Sequence, residues 1–241
     1  MKKFLLIALS VILLSIVGFL ILDKPLPEGK PGPNADALAR RVMNAVNHSA
    51  WQNTSVIAWT FPGGHQHLWD KDRHIARVVW DDYEVLVDLD SVSGQAFRNG
   101  QRVSDTEEEN KLVSTAWEYW VNDSFWLNAP NKLFDPGVER SLVQLENGED
   151  ALLVTYTTGG ATPGDAYLWL LDKNDLPRAW KLWVSIIPIG GVEFSWEDWQ
   201  TLESGARIAT FHDGLLDIKL EDIRAANRVE DLTGTDPFKN F

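Results

Sequence analysis

The stretch 165–199, DAYLWLLDKNDLPRAWKLWVSIIPIGGVEFSWEDW, decides how the rest of the chain is read. It reads as three antiparallel strands joined by two turns: Asp172-Lys-Asn-Asp175, closed by Pro177, and Pro188-Ile-Gly-Gly191. Between the turns Trp180, Leu182, Val184 and Ile186 share one side, with Arg178, Lys181 and Ser185 mixed onto the other. The third strand repeats the period, with Val192, Phe194 and Trp196 set against Glu193, Ser195 and Glu197. Alternation of this kind marks a sheet with one buried face and one wetter face. On the first strand, Tyr167, Trp169 and Leu171 point one way while Leu168 and Leu170 point the other, so that strand needs cover on both sides.

Working outward, a chain of 241 residues with 12 Trp has ample material for one sizeable core. Each indole buries a large area but carries an N–H that wants a partner, which suits cores, interfaces or a cavity wall. The net charge is −13, and without Lys2 and Lys3 the remaining 20 basic residues face 35 acidic ones. Such a surface repels phosphate backbones, and nucleic acid is excluded as a partner class. Cysteine is absent, which rules out disulfides, thiolate metal sites, a Cys nucleophile and the lipid anchor of a bacterial lipoprotein.

At the N-terminus, Lys2-Lys3 precede 19 uncharged residues, Phe4–Leu22. A helix of that length spans roughly 28 Å, near the thickness of a bilayer's hydrocarbon core. The run is longer than a signal-peptide core and has no clean small-x-small cleavage site. Residues 1–23 therefore read as an uncleaved signal-anchor with Met1 in the cytoplasm and the remainder outside; secretion after cleavage stays open as the alternative. Residues 24–33, rich in Pro and Gly, read as a semi-rigid spacer.

The domain proper is expected over residues 34–229. Asn34 is placed to cap a helix running to about Asn47, with Leu38, Val42 and Val46 on one face. A meander follows, carrying Ile57, Trp59 and Phe61, then Tyr83, Val85, Val87 and Leu89, each set in phase. Asn99-Gly100 is the strongest hairpin signal. Thr106-Glu-Glu-Glu109 fits a capping box at the head of a bulky helix whose Leu112, Val113, Ala116, Trp117, Trp120 and Val121 recur at three- and four-residue spacing. Residues 123–134 read as irregular or short-helical, and residues 230–241 as a loose tail.

Catalytic motifs are missing: no G-x-S-x-G, P-loop or H-E-x-x-H occurs. Glu197 and Asp198 fall on opposite faces of a strand, which is wrong for a cooperating acid–base pair. His65-Gln-His67 puts two imidazoles on one strand face, with His74 on the next strand. The pair lacks a defined third ligand, so no metal and no cofactor are assigned.

This order of elements resembles the LolA/LolB-type lipoprotein-carrier fold, on the helix-then-meander start, the SFWLNAPNKLFDPG stretch at 124–137 and the LDKNDLPRAW hairpin at 171–180. The resemblance extends over roughly residues 34–220 and implies a bacterial cell envelope and a hydrophobic cavity that holds acyl chains. It departs in two ways: a LolB-type receptor needs a lipid-bearing Cys, and a LolA-type carrier moves freely.

The expected architecture is an α+β fold, an antiparallel curved sheet or half-barrel of about ten strands lidded by two helices and preceded by one transmembrane helix. The expected function is that of a non-catalytic inner-membrane protein with a periplasmic domain, binding a lipid, an acyl chain or another long apolar ligand. Strand phase nominates Trp59, Phe61, Val85, Val87, Trp180, Leu182, Val184, Phe194 and Trp196 as the lining, with Trp117 and Trp120 from the lid. The alternatives are a tethered module with a filled core that binds another envelope protein, and a metal-assisted hydrolase.

Overall fold

The structure is a computed structural model that describes residues 22–158 and 162–241. The signal-anchor assignment falls almost wholly on residues 1–21 and lies outside the described residues. Among the described residues, no helix is long and apolar enough to cross a membrane.

After β1 (Lys30–Pro31) come helices α1 (Pro33–Ala45) and α2 (His48–Gln52). A meander follows: β2 (Val56–Phe61), β3 (His65–Asp70), β4 (Ile75–Trp80), β5 (Tyr83–Asp88), β6 (Ser93–Arg98) and β7 (Gln101–Arg102). Helix α3 (Thr106–Asn128) runs into a 3-10 turn at Ala129–Asn131. The second meander is β8 (Val138–Gln144), β9 (Asp150–Tyr156), β10 (Ala166–Leu171), β11 (Pro177–Trp183) and β12 (Val192–Ser195). Short pieces close the chain: β13 (Gln200–Thr201), β14 (Arg207–Ile208), β15 (Phe211–His212), β16 (Ile218–Lys219), β17 (Glu221–Ala226) and α4 (Val229–Thr233).

The expected single curved sheet is two antiparallel sheets. One has seven strands in the order β17-β2-β3-β4-β5-β6-β7, the other six in the order β1-β8-β9-β10-β11-β12, with β13-β14 and β15-β16 as separate short pairs. Neither sheet closes into a barrel. The three strands of the opening stretch are present, with Trp169 opposite Trp180 and Trp180 opposite Phe194 in register. Ile186, placed in phase with Trp180, is instead 73% exposed, because β11 stops at Trp183.

Helix α3 joins the two sheets. Val113, Ala116 and Leu127 are buried against the inner face of the seven-stranded sheet, with Leu112, Trp117, Tyr119 and Trp120 packed beside them. Phe125 and Trp126 belong to the other core, with Trp169, Trp180, Phe194 and Trp196 of the six-stranded sheet and Leu38 and Val42 of α1. The helix outlasts the expected boundary because no Gly or Pro interrupts residues 106–129, and Pro130 is the first residue that stops it. Its cap is Asp105 rather than Thr106: the Asp105 carboxylate accepts from the Glu108 N–H at 2.8 Å. Glu109 does not reach back to the cap; its carboxylate accepts from the Ala96 N–H of β6 and from Arg102. At the head of α1 the cap is Gly32 with Pro33 in the first turn, in place of the expected Asn34.

Both terminal stretches are engaged with the domain. The Lys24 N–H donates to the Gly190 carbonyl at 3.0 Å, the Trp183 indole donates to the Lys24 carbonyl at 2.7 Å, and Lys30–Pro31 pairs with Ser141 and Leu142 of β8. The stretch expected as a spacer thus straps the six-stranded sheet, tied at its β11–β12 turn and at its β8 edge. At the other end, Val229 and Phe238 are buried against Val56, Ala58, Leu68, Ile75 and Leu86 on the outer face of the seven-stranded sheet. Arg73 donates to Asp236 at 2.8 Å, so residues 230–241 are not a loose tail.

Two outcomes follow from this packing. Trp180→Ala removes a fully buried indole and should lower unfolding stability by about 3–5 kcal/mol in urea titrations, whereas Ile186→Ala should shift it by less than about 0.5 kcal/mol. Trp183→Ala removes the indole donor that holds the strap, and a glutamate-specific protease should then cut at Glu28 about 5-fold faster than in the parent protein.

Candidate functional site

The eleven residues nominated as a lining fall into two separate cores. Trp59, Val85 and Val87 are buried in the seven-stranded core, and Phe61, Trp117 and Trp120 pack at its margin. Trp180, Leu182, Val184, Phe194 and Trp196 are buried in the six-stranded core. There Trp180 is surrounded by rings: Trp169 at 4.8 Å, Trp196 at 4.9 Å, Trp126 at 5.0 Å and Phe125 stacked at 5.6 Å. Phe125 and Trp126 stand outside the nominated lining, because residues 123–134 read as irregular or short-helical and give no face to assign. Two surface hollows, of about 790 Å³ and 670 Å³, are bordered by none of the eleven. The second is lined by Leu22, Ile189 and Leu215, next to Asp213 and Gly214. Leu216, the following residue, is 78% exposed.

The polar centre of the domain lies beneath α3. Strand periodicity puts His65 and His67 of β3 on the face that α3 covers, and Asp123 from the helix meets both. The Asp123 Oδ2 lies 2.9 Å from His65 Nδ1 and 2.7 Å from His67 Nε2. Asn122 Nδ2 donates to Asp123 Oδ1 at 2.9 Å. The carboxylate is 1% exposed, the His67 side chain 0% and the His65 side chain 18%. Aromatic rings fix both imidazoles: Trp59 stacks on His67 at 4.5 Å and Tyr119 on His65 at 3.9 Å. His74 does not join them; it sits at the next turn with Nδ1 against Asp90 at 2.7 Å.

Burial pushes the His67 imidazole below its ordinary pKa, opposed by the hydrogen bond and charge of Asp123. A neutral His67 donates from Nε2 to Asp123, and its Nδ1 lone pair is left without a donor. The sequence supplied the two imidazoles of this cluster. It could not supply the carboxylate, because Asp123 lies 56 positions from His67 and meets it only through the docking of α3.

His212 is a second buried imidazole, edge-on to Trp196 at 4.5 Å. Its Nδ1–H donates to the Ser195 carbonyl at 2.9 Å, and the backbone of Trp126 is a second acceptor near the ring; both favour the protonated form against burial. Burial lowers its pKa from 6.5 to about 4.

No protein-family model matches the chain, nor does any curated protein. Among solved structures, a DUF1329 family protein from Desulfovibrio piger is similar to it with a TM-score of 0.42 and 12% identity, over 86% of this chain and 98% of that one. A likeness at that score carries no argument about fold or function.

The His212 geometry sets a pH dependence. The neutral form is favoured in the folded state, so the full contribution is present above the unfolded pKa near 6.5 and is lost as pH falls toward about 4. His212→Phe should remove roughly 3 kcal/mol of the stability difference that the parent protein shows between pH 7 and pH 4 in urea titrations. Identical pH profiles for the two proteins would show that this imidazole does not titrate in that window.

Proposed function

We propose that this chain is a tethered, envelope-facing and non-catalytic domain that acts by presenting a surface to another envelope protein. The observation that carries this reading is the packing at the indoles of 59, 180 and 196. All three are buried; Trp180 interlocks with Phe125 and Trp126 of α3, and Trp59 stacks on the imidazole that α3 holds through Asp123. Side chains placed in this way form a core. The surface offered is the exposed pair Leu215 and Leu216, at the hollow that Leu22, Ile189 and Leu215 line. The envelope setting rests on the LolA/LolB-type resemblance of residues 124–137 and 171–180.

A second reading keeps the original ligand, a lipid or acyl chain that enters when α3 lifts. One observation favours it: the indole N–H groups of Trp59, Trp120, Trp169, Trp180 and Trp196 are buried without an acceptor, and ester carbonyls would supply acceptors.

Full-length protein carrying a photo-crosslinking residue at position 215 separates the two. Under the first reading, irradiation in cells traps one protein partner, Leu216→Asp reduces the yield about 10-fold, and native mass spectra of the purified protein show the chain mass alone. An adduct in the acyl-lipid mass range that disappears in Trp180→Ala, with no trapped protein, overturns the first reading and supports the second.

A further inference from the structure

We propose that His65, His67 and Asp123 form a binding site for one divalent transition-metal ion of the zinc type. Three donor atoms, His65 Nδ1, His67 Nε2 and Asp123 Oδ2, all lie within 4.8 Å of one another. They come from two elements that hold them independently: the imidazoles from one face of β3, the carboxylate from the C-terminal third of α3. Two imidazoles and one carboxylate are the donor set of a three-ligand site whose remaining position takes water.

The charge balance points the same way. A carboxylate that is 1% exposed is costly unless a cation compensates it. Among the described residues, the partners of Asp123 are His65, His67 and Asn122, with no Lys or Arg. A dication supplies that charge at the atom the three side chains already surround. Access is from the His65 side, which is 18% exposed, while His67 and Asp123 are closed off.

The three donors stand near one another but not yet at tetrahedral spacing. Zinc bonds of about 2.0–2.2 Å to N and O place tetrahedral donors about 3.3 Å apart, and the carboxylate now stands 2.7 and 2.9 Å from the two nitrogens. Loading therefore requires Asp123 Oδ2 to retreat by about 0.5 Å and the two imidazole nitrogens, which lie within 4.8 Å of each other, to settle about 3.3 Å apart. The affinity has a built-in limit. A metal on Nε2 forces the His67 proton onto Nδ1, which has no acceptor, and loss of that outer partner weakens sites about 10–100-fold. The expected Kd is therefore micromolar rather than nanomolar. The competing account is a purely structural latch, with Asp123 accepting from two neutral imidazoles to pin α3 on β3.

The test uses full-length protein in detergent, stripped with a chelator and titrated with zinc by calorimetry, with metal content measured after dialysis. The expected result is one zinc per chain, a rise in Tm on loading, and a loss of affinity of about 100-fold or more in His67→Gln and Asp123→Asn. His74→Gln should leave binding unchanged. Should the buried variants not fold, His65→Gln at the partly exposed position and cobalt loading of the parent protein give independent readouts. Cobalt should produce visible ligand-field bands of low coordination number without thiolate charge transfer, as the chain has no Cys, and His65→Gln should weaken those bands' titration about 10-fold. Substoichiometric zinc, zinc binding unaltered in His65→Gln, or cobalt spectra of the free hexaaqua ion would overturn the site and leave the latch.

Discussion

The fold depends on α3 being apolar in two directions at once. A helix that packs on one sheet needs a single stripe of apolar residues. This one carries Val113, Ala116, Trp117 and Trp120 to the seven-stranded sheet and Phe125 and Trp126 to the six-stranded sheet. Two separate meanders are thereby held together, since among the described residues no strand of one sheet pairs with a strand of the other. The 3-10 turn that follows continues the contact, with Ala129 and Leu133 buried against the six-stranded core. At the opposite end the helix is anchored through Glu109 to β6.

The polar cluster follows from the same docking. Asp123 lies between the residues that face one sheet and those that face the other, at the point where the helix passes over β3. A carboxylate there would be expensive without donors, and the two imidazoles supply them. The cluster therefore records the rotational setting of α3: a turn of one residue along the helix would withdraw the carboxylate and leave His67 with neither nitrogen satisfied.

Local pattern carried much of this structure. The β10–β11–β12 hairpins, the Asn99-Gly100 turn with both residues at positive φ, and the phase of Trp180, Leu182, Phe194 and Trp196 are all legible from alternation and turn chemistry. What could not be read is what depends on long-range partners. Strand phase tells which residues share a face but not whether the space before that face is empty, and here Trp126 and Phe125 occupy it. The division into two sheets depends on pairings between distant residues, such as Ala225 with Ile57. The site residues were half visible for the same reason: period two exposes the histidines, and nothing in spacing announces Asp123.

The strap of residues 23–31 alters how tension would travel through the molecule. Had these residues been free, a tug on the leading end would first straighten slack chain. Instead the load meets the Gly190 and Trp183 hydrogen bonds at one border of the sheet, and only after their rupture reaches the two-residue β1 ladder at the other. The first contacts to give way are few and lie on the rim, so the interior is shielded until the strap has peeled off. A pull applied at Asp23 would therefore enter the body through the rim of the six-stranded sheet and through neither core.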